Sequence, residues 1–242
     1  MSKWLRMLAV TAAFMVVASA ASAAAGINLS WTACGAAGVS TKTFACNVNT
    51  GAAELMVASY VAPAGTSGIT GMEAVIDIQS STPTMPDWWL FKNAGTCRQT
   101  ALAAAPNGAA CDGDYWAGQA SGGITAYITP YAAATNRARL LIIYAVPSNL
   151  AAPVDADVEY FAFTATVSHA KTVGTGSCAG CTTPMCIVLN EIKLTQGVGI
   201  GDYRLQTAAS NNILTWQGES PANCLTVPVK NRTWGAVKSL YR

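Results

Sequence analysis

Four groups of residues in this 242-residue sequence are of types and spacings that carry chemistry: eight cysteines, one histidine, a small set of clustered carboxylates and two short aromatic runs. Cys178-Ala-Gly-Cys181, followed by Cys186, is the most motif-like stretch. A redox dithiol places its Cys-x-x-Cys at a helix N-terminus, where the dipole lowers the thiol pKa. Here the pair sits in a Gly-, Thr- and Pro-rich connection between two expected strands. A structural zinc site could use Cys178, Cys181, Cys186 and Cys224, but zinc ribbons carry two such knuckles and this chain has one. The third use is two disulfides that pin the connection and tie Cys224 back.

His169, the one histidine, excludes metal and acid-base schemes that need two. A Ser-His-Asp arrangement needs only one, yet no Gly-x-Ser-x-Gly elbow is present. His169 follows an alternating strand and precedes Lys171, where a half-exposed strand-end residue is expected. Among the carboxylates Asp112, Asp114, Asp155, Asp157 and Glu159 are the densest. Asp155-Ala-Asp157-Val-Glu159 offers three oxygens on alternate residues, which could begin a calcium site, although the glycine and distant glutamate of an EF-hand are missing. A solvated strand edge is the other use. Paired carboxylates would also serve a glycosidase, and twelve acidic residues do not exclude one. Asp87-Trp88-Trp89 and Tyr115-Trp116 are candidate sugar-stacking rings, with burial beneath their own loop as the alternative. Adjacent Trp88 and Trp89 point to opposite sides of an extended chain, so at most one serves a given surface.

The remaining cysteines are Cys34, Cys46, Cys97 and Cys111. An even count favours a disulfide framework, although eight residues allow 105 connectivities. Local spacing suggests Cys34 with Cys46 and Cys97 with Cys111, each closing a loop worth about 3 kcal/mol in the chain-entropy model.

The elements that must position these groups are strands. Glu54 to Val61, Ile69 to Gln79, Ile124 to Tyr131, Ala138 to Val146, Glu159 to Ser168 and Cys186 to Leu194 are rich in β-branched and aromatic residues and bounded by turn formers. Phe161, Phe163, Ala165 and Val167 alternate with Tyr160, Ala162, Thr164 and Thr166, the signature of a strand with one buried face. Ala138 to Val146 is apolar almost throughout and reads as a central strand. Helical patterns are confined to Arg98 to Ala105 and to Thr233 to Leu240. Strands without intervening helices argue for an all-β fold, an antiparallel two-sheet β-sandwich of jelly-roll or Ig-like type. Ser81 to Gly123 lacks periodicity and reads as a long disulfide-stapled insertion.

Lys3 and Arg6, an apolar run to Ala20, and Ala21-Ser22-Ala23 form a secretory signal peptide over 1–23, leaving 24–242 as one sandwich domain. Cleavage there leaves twelve basic residues against twelve acidic, so the mature chain is formally neutral. Only 11% of the sequence is charged while 52% is hydrophobic, too apolar for disorder. No block of basic residues is present to grip nucleic acid, and no apolar run is long enough to span a bilayer. Residues 231–242 lack acidic side chains and read as a docked terminal element or a recognition tail.

Gly71-Met-Glu-Ala-Val-Ile-Asp-Ile78 and Glu159-Tyr-Phe-Ala-Phe-Thr-Ala-Thr-Val167, followed by a Gly-rich turn and Ile-Val-Leu-Asn-Glu-Ile-Lys-Leu, resemble the strand pattern of cohesin-type and carbohydrate-binding sandwiches of bacterial secreted proteins. The likeness covers about half of the mature chain and contains no diagnostic motif, so no functional residue transfers with it. The resemblance implies a secreted, non-catalytic binding or surface-structural module at the cell surface or beyond, with a polysaccharide or an extracellular protein as partner. A secreted carbohydrate-active hydrolase and a self-assembling envelope component are the alternatives. Paired carboxylates in a cleft would favour the hydrolase, an exposed aromatic row the binding module, and a large apolar patch the assembly protein.

Overall fold

The computed structural model describes residues 24–109, 111–218 and 224. The expected signal peptide, the helical pattern of Thr233 to Leu240 and the tail 231–242 lie outside the described residues. The chain extends over β1 (Gly26–Trp31), β2 (Thr41–Lys42), β3 (Glu54–Val61), β4 (Ile69–Ser80), β5 (Leu102–Ala105), β6 (Ser121–Ile128), β7 (Arg137–Ala145), β8 (Glu159–Val167), β9 (Met185–Gln196), β10 (Tyr203–Leu205) and β11 (Ile213–Trp216), the long strands being those where β-branched and aromatic residues are frequent. They form a β-sandwich of two sheets. The smaller runs β1-β3-β8-β5, the larger β2-β11-β9-β4-β7-β6, with β10 added on β9. Neighbours pair antiparallel except β2 and β11.

Period-two alternation decides what each strand buries. Met72, Ala74, Ile76 and Ile78 of β4 and Ala138, Leu140, Ile142 and Tyr144 of β7 are buried, and the residues between them face out. β7, expected as a central strand, is indeed internal to its sheet but keeps an exposed face. β8, expected to have one open face, is buried along most of its length. The reason is a second covering layer. The outer side of the small sheet carries Asn28, Ser30, Ser59, Glu159 and Thr164, and the segments 33–38 and 106–109 lie over it. Gly35 sits against the Glu159 carboxylate, Gly38 against Ser30 and Gly108 against Thr164. Gly35 has φ +43, and a Cβ there would collide with Glu159, so only glycine fits. The Cys34–Cys111 disulfide joins the two loops.

The sandwich end where β4 finishes and β9 begins is filled by aromatic rings. Phe44 stacks on Trp216 with centroids 3.8 Å apart, Trp31 meets Phe44 at 4.8 Å, and Trp88 and Trp89 flank Trp216 at 5.0 and 5.3 Å. Three of the four indole N–H groups are partnered: Trp216 Nε1 donates to Cys181 O, Trp31 Nε1 to Thr215 O, and Trp88 Nε1 to Thr172 Oγ1, whereas Trp89 Nε1 is buried without a hydrogen-bond partner among the described residues. Arg98 lies under this cluster with its guanidinium 3.4 Å from the Trp88 ring centre, donating to the carbonyls of Trp88, Ser168 and Ala170. The stretch 81–123 is therefore part of the core and not an appendage. It supplies Trp88, Trp89, Phe91 and Trp116, all of β5, and the start of β6. Arg98 to Ala105 is a turn followed by β5, because Leu102 to Ala105 complete the edge of the small sheet against β8.

The disulfides correct the local pairing expected from spacing. Cys34 bonds Cys111 and not Cys46, Cys97 bonds Cys178 and not Cys111, Cys46 bonds Cys181, and Cys186 bonds Cys224. Sequence separations of 77, 81 and 135 for the first three bonds named show that packing between sheets, and not proximity in the chain, chose the partners. With every cysteine oxidised, the structure contains neither the dithiol couple nor the four-thiolate set, whereas Cys224 is tied back as the disulfide reading expects.

Removing the Arg98 head group tests the packing around Trp88. Arg98→Met keeps the apolar stem but leaves three carbonyls without their donors, so we expect a loss of about 3 kcal/mol in urea unfolding. A loss under about 1 kcal/mol would show that those carbonyls find other partners.

Alkaline pH tests the buried phenols. Burial pushes Tyr144 up to about 12 and holds Tyr60 and Tyr127 well above the ordinary tyrosine range, with Tyr115 and Tyr160 adding to the effect at Tyr60. Unfolded tyrosines ionise near 10, so above that pH the folded state binds more protons. Stability is then fully present below pH 10 and falls as pH rises through the folded values. Arg98, lowered to about 9 by burial, acts in the opposite direction from pH 9 upward. Three phenols against one guanidinium make the net slope negative above pH 10. A urea midpoint that stays level or rises between pH 10 and 11.5 would contradict this.

Candidate functional site

The aromatic runs are the first correction. Trp88 and Trp89 are fully buried and Trp116 nearly so, with its Nε1 on Ala162 O. Among the described residues no aromatic ring is exposed, so these three tryptophans form no sugar-stacking row. Burying such large rings removes more apolar area from water than any other choice, and this end of the sandwich has room for them.

The three candidate calcium ligands do not converge. Asp155 and Asp157 are exposed in the turn before β8, whereas the Glu159 carboxylate is turned under the covering loops, accepting from Asn28 Nδ2 at 2.7 Å and from Ser59 Oγ. Among the described residues no three His, Cys, Asp or Glu side chains are grouped to hold a metal ion. Alternation keeps side chains on one face only within a strand, and Asp155 and Asp157 precede it. Asp114 is likewise engaged, its Oδ1 accepting from the backbone of Trp116 and Ala117.

His169 is buried where a half-exposed position was expected. Its Nε2 lies 3.0 Å from Glu54 Oε1, and Lys42 Nζ lies 3.2 Å from the other oxygen. Its Nδ1 meets no hydrogen-bond partner among the described residues. The carboxylate orients the ring, but no hydroxyl is held at the second nitrogen as a triad requires.

Two surfaces remain that the sequence did not single out. A shallow groove of about 320 Å³ at the aromatic end is lined by Thr84, Met85, Leu90, Asn93, Thr129 and Thr135. It is uncharged, and the hydroxyls of Thr129 and Thr135 already donate to backbone carbonyls. At the opposite end three loops converge. Gly68 N donates to Ala152 O, Ser67 N donates to Gln196 Oε1, and Gln196 Nε2 donates to Gly201 O, locking 62–68, 146–158 and 197–202 together.

From this loop platform the turn Gly197-Val-Gly-Ile-Gly201 projects. Val198 is fully exposed, Ile200 is 55% exposed, and Leu150 is exposed in the loop 146–158. The three loops contain no Lys, Arg or His and three acidic residues, Asp155, Asp157 and Asp202. Gly199 and Gly201 adopt positive φ, which explains a glycine at alternate positions of the turn. The signal was present in the sequence as two β-branched apolar residues isolated between glycines, a pattern without a core to belong to.

No family model matches this chain, and no curated protein is similar to it in sequence. Among solved structures, a cohesin module from a family 33 glycoside hydrolase of Clostridium perfringens ATCC13124 is similar at 8% identity and a TM-score of 0.31, covering 81% of this chain and 100% of that one. The major subunit of aggregative adherence fimbriae type I from Escherichia coli is similar at 9% identity and a TM-score of 0.30, covering 80% and 93%. These are weak likenesses of strand arrangement, and no residue or activity is carried from either.

Proposed function

We propose that the protein is a non-catalytic extracellular module that contacts another protein through the apolar loop end around Val198 and Ile200. The observation that carries this reading is a pair of branched apolar side chains held in water on a turn whose base is fixed by hydrogen bonds. Exposed apolar side chains grouped on a rigid support mark contact surfaces. The three loops carry no cation, and Lys193 of β9 already lies 3.8 Å from Asp202, so this end has nothing to draw in an anionic membrane or a nucleic acid and a partner surface with an apolar pocket suits it better. Four disulfides fit an oxidising compartment. A neutral polysaccharide is the second candidate ligand, and the uncharged groove by Leu90 and Asn93 is where it would lie.

The test is retention of extracellular proteins from the native source on the immobilised protein, compared with a Val198→Ser, Ile200→Ser variant. Losing two anchors is expected to cost about 2 kcal/mol or more, a weakening of about 30-fold, with the melting temperature unchanged. Equal retention by both forms would overturn the reading. Retention on insoluble neutral polysaccharide that survives the double substitution and is lost in Asn93→Ala would replace it with the groove.

A further inference from the structure

Two segments that meet at the aromatic end carry basic residues and no acid. Residues 88–111 contain Lys92 and Arg98, residues 160–190 contain His169 and Lys171, and neither stretch has an Asp or Glu. The Cys97–Cys178 disulfide ties the two together. Cys97 also lines a pocket of about 240 Å³, whose wall is formed by 96–101 with Ala170 and Lys171. Arg98 is only 2% exposed in that wall, and Lys171 is exposed. Among the described residues neither of them forms an ion pair, nor does Lys92, whose backbone N–H donates to Gln99 O.

The wall offers hydrogen-bonding groups of one kind. The carbonyls of Cys97, Arg98, Gln99, Ala101, Ala170 and Lys171 already accept, from Lys171 Nζ, Ala101 N, Lys92 N, Ser168 N, Arg98 Nε and Cys178 N in turn. By contrast, the backbone N–H groups of 97–100, 170 and 171 have no partner among the described residues. Lys171 is held in place at both ends, its carbonyl by Cys178 N and its ammonium on Cys97 O, with φ +59, a conformation costly for a residue that has a Cβ. Successive unpaired N–H groups around a concavity attract anions, and a positive charge beside them strengthens that preference.

We propose that this pocket binds a tetrahedral oxyanion, a sulfate or phosphate group, with Lys171 as its direct cation and Arg98 as a fixed charge behind the wall. Donors arriving from two segments suit a group whose oxygens point in every direction better than a planar carboxylate. The Arg98 head group does not reach the ligand, because its nitrogens are held by the carbonyls of Trp88, Ser168 and Ala170. Its charge still counts: burial lowers Arg98 to about 9, and an anion in the pocket supplies the counter-charge that the fold omits. Pockets that enclose a drug-sized ligand begin at about 300 Å³, so this one takes a single charged group. The disulfide and the occupied carbonyls fix the wall in advance, which leaves little to be ordered on binding. The site lies at the opposite end from Val198 and Ile200, so it stands or falls independently of the contact proposed there.

Titration of the isotope-labelled protein with sodium sulfate and with sodium phosphate tests this, with chloride holding the ionic strength constant and backbone amide signals followed by NMR. We expect saturable shifts at the amides of 97–100, 170 and 171, half-complete at a concentration on the order of 1 mM, with binding weakened about tenfold in Lys171→Gln and retained in Lys171→Arg. Shifts that never saturate, or an affinity unchanged in Lys171→Gln, would overturn the proposal. Dextran sulfate compared with unmodified dextran identifies the source of the group. Saturation of the same amides at a lower sulfate concentration than the free ion requires supports a group carried on a polymer, and equal affinity per sulfate supports a free ion. Dextran sulfate that shifts other surface lysines and leaves 97–100 unmoved would count against the pocket.

Discussion

The turn between Cys178 and Cys181 is the constraint on which the rest of the molecule depends. Two cysteines three positions apart send disulfides in different directions, one to Cys97 and one to Cys46. The first holds the loop that carries Trp88, Trp89 and Arg98, and the second holds the segment that carries Phe44. Both segments converge on Trp216, whose ring edge donates to the carbonyl of Cys181 itself. A cluster of large rings is expensive to order, since long connections must be closed before the rings meet. Cross-links spanning 81 and 135 residues reduce that cost by restricting the unfolded chain. Arg98 is part of the same arrangement, as its buried charge rests on three carbonyls and the face of Trp88 and would be costly anywhere less well provided.

From this fixed end the two sheets run toward an end of different character. The aromatic end is large, stapled and closed, while the loop end is built from Ala, Pro, Gly, Ser and Val and held by a few hydrogen bonds. A protein with so few charged residues solves its polar problems by local pairing. Glu159 is met by Asn28 and Ser59, Asp77 by Arg139, and His169 by Glu54. Glu159, Asp77 and His169 are thereby committed to holding strands and loops, while the loop end leaves Val198 and Ile200 facing water among polar and acidic neighbours.

How much of this was legible in the sequence differs by feature. β3 was readable residue for residue, and β4, β7, β8 and β9 to within a few positions, because long β-branched and aromatic runs carry their own periodicity. β1, β2, β5, β10 and β11 were missed, and β6 was expected three residues too late. The missed strands are short, and β5 extends because β8 offers it an edge, a reason invisible in Leu102-Ala-Ala-Ala105. Alternation in β8 predicted one open face, yet alternation reports only which residues share a side. Whether the polar side meets water or a stapled loop depends on the segments 33–38 and 106–109.

The sequence by itself determined the all-β class, the general positions of the long strands and the commitment of the cysteines to disulfides, since these follow from local pattern and composition. Tertiary structure alone decided which cysteines pair, that Trp88, Trp89 and Trp116 are core and not contact surface, that Asp155, Asp157 and Glu159 part company, and that Val198 and Ile200 stand in solvent. Each of those outcomes depends on distances between residues far apart in the chain. Such distances are set by how two sheets pack face to face, and no local spacing encodes them.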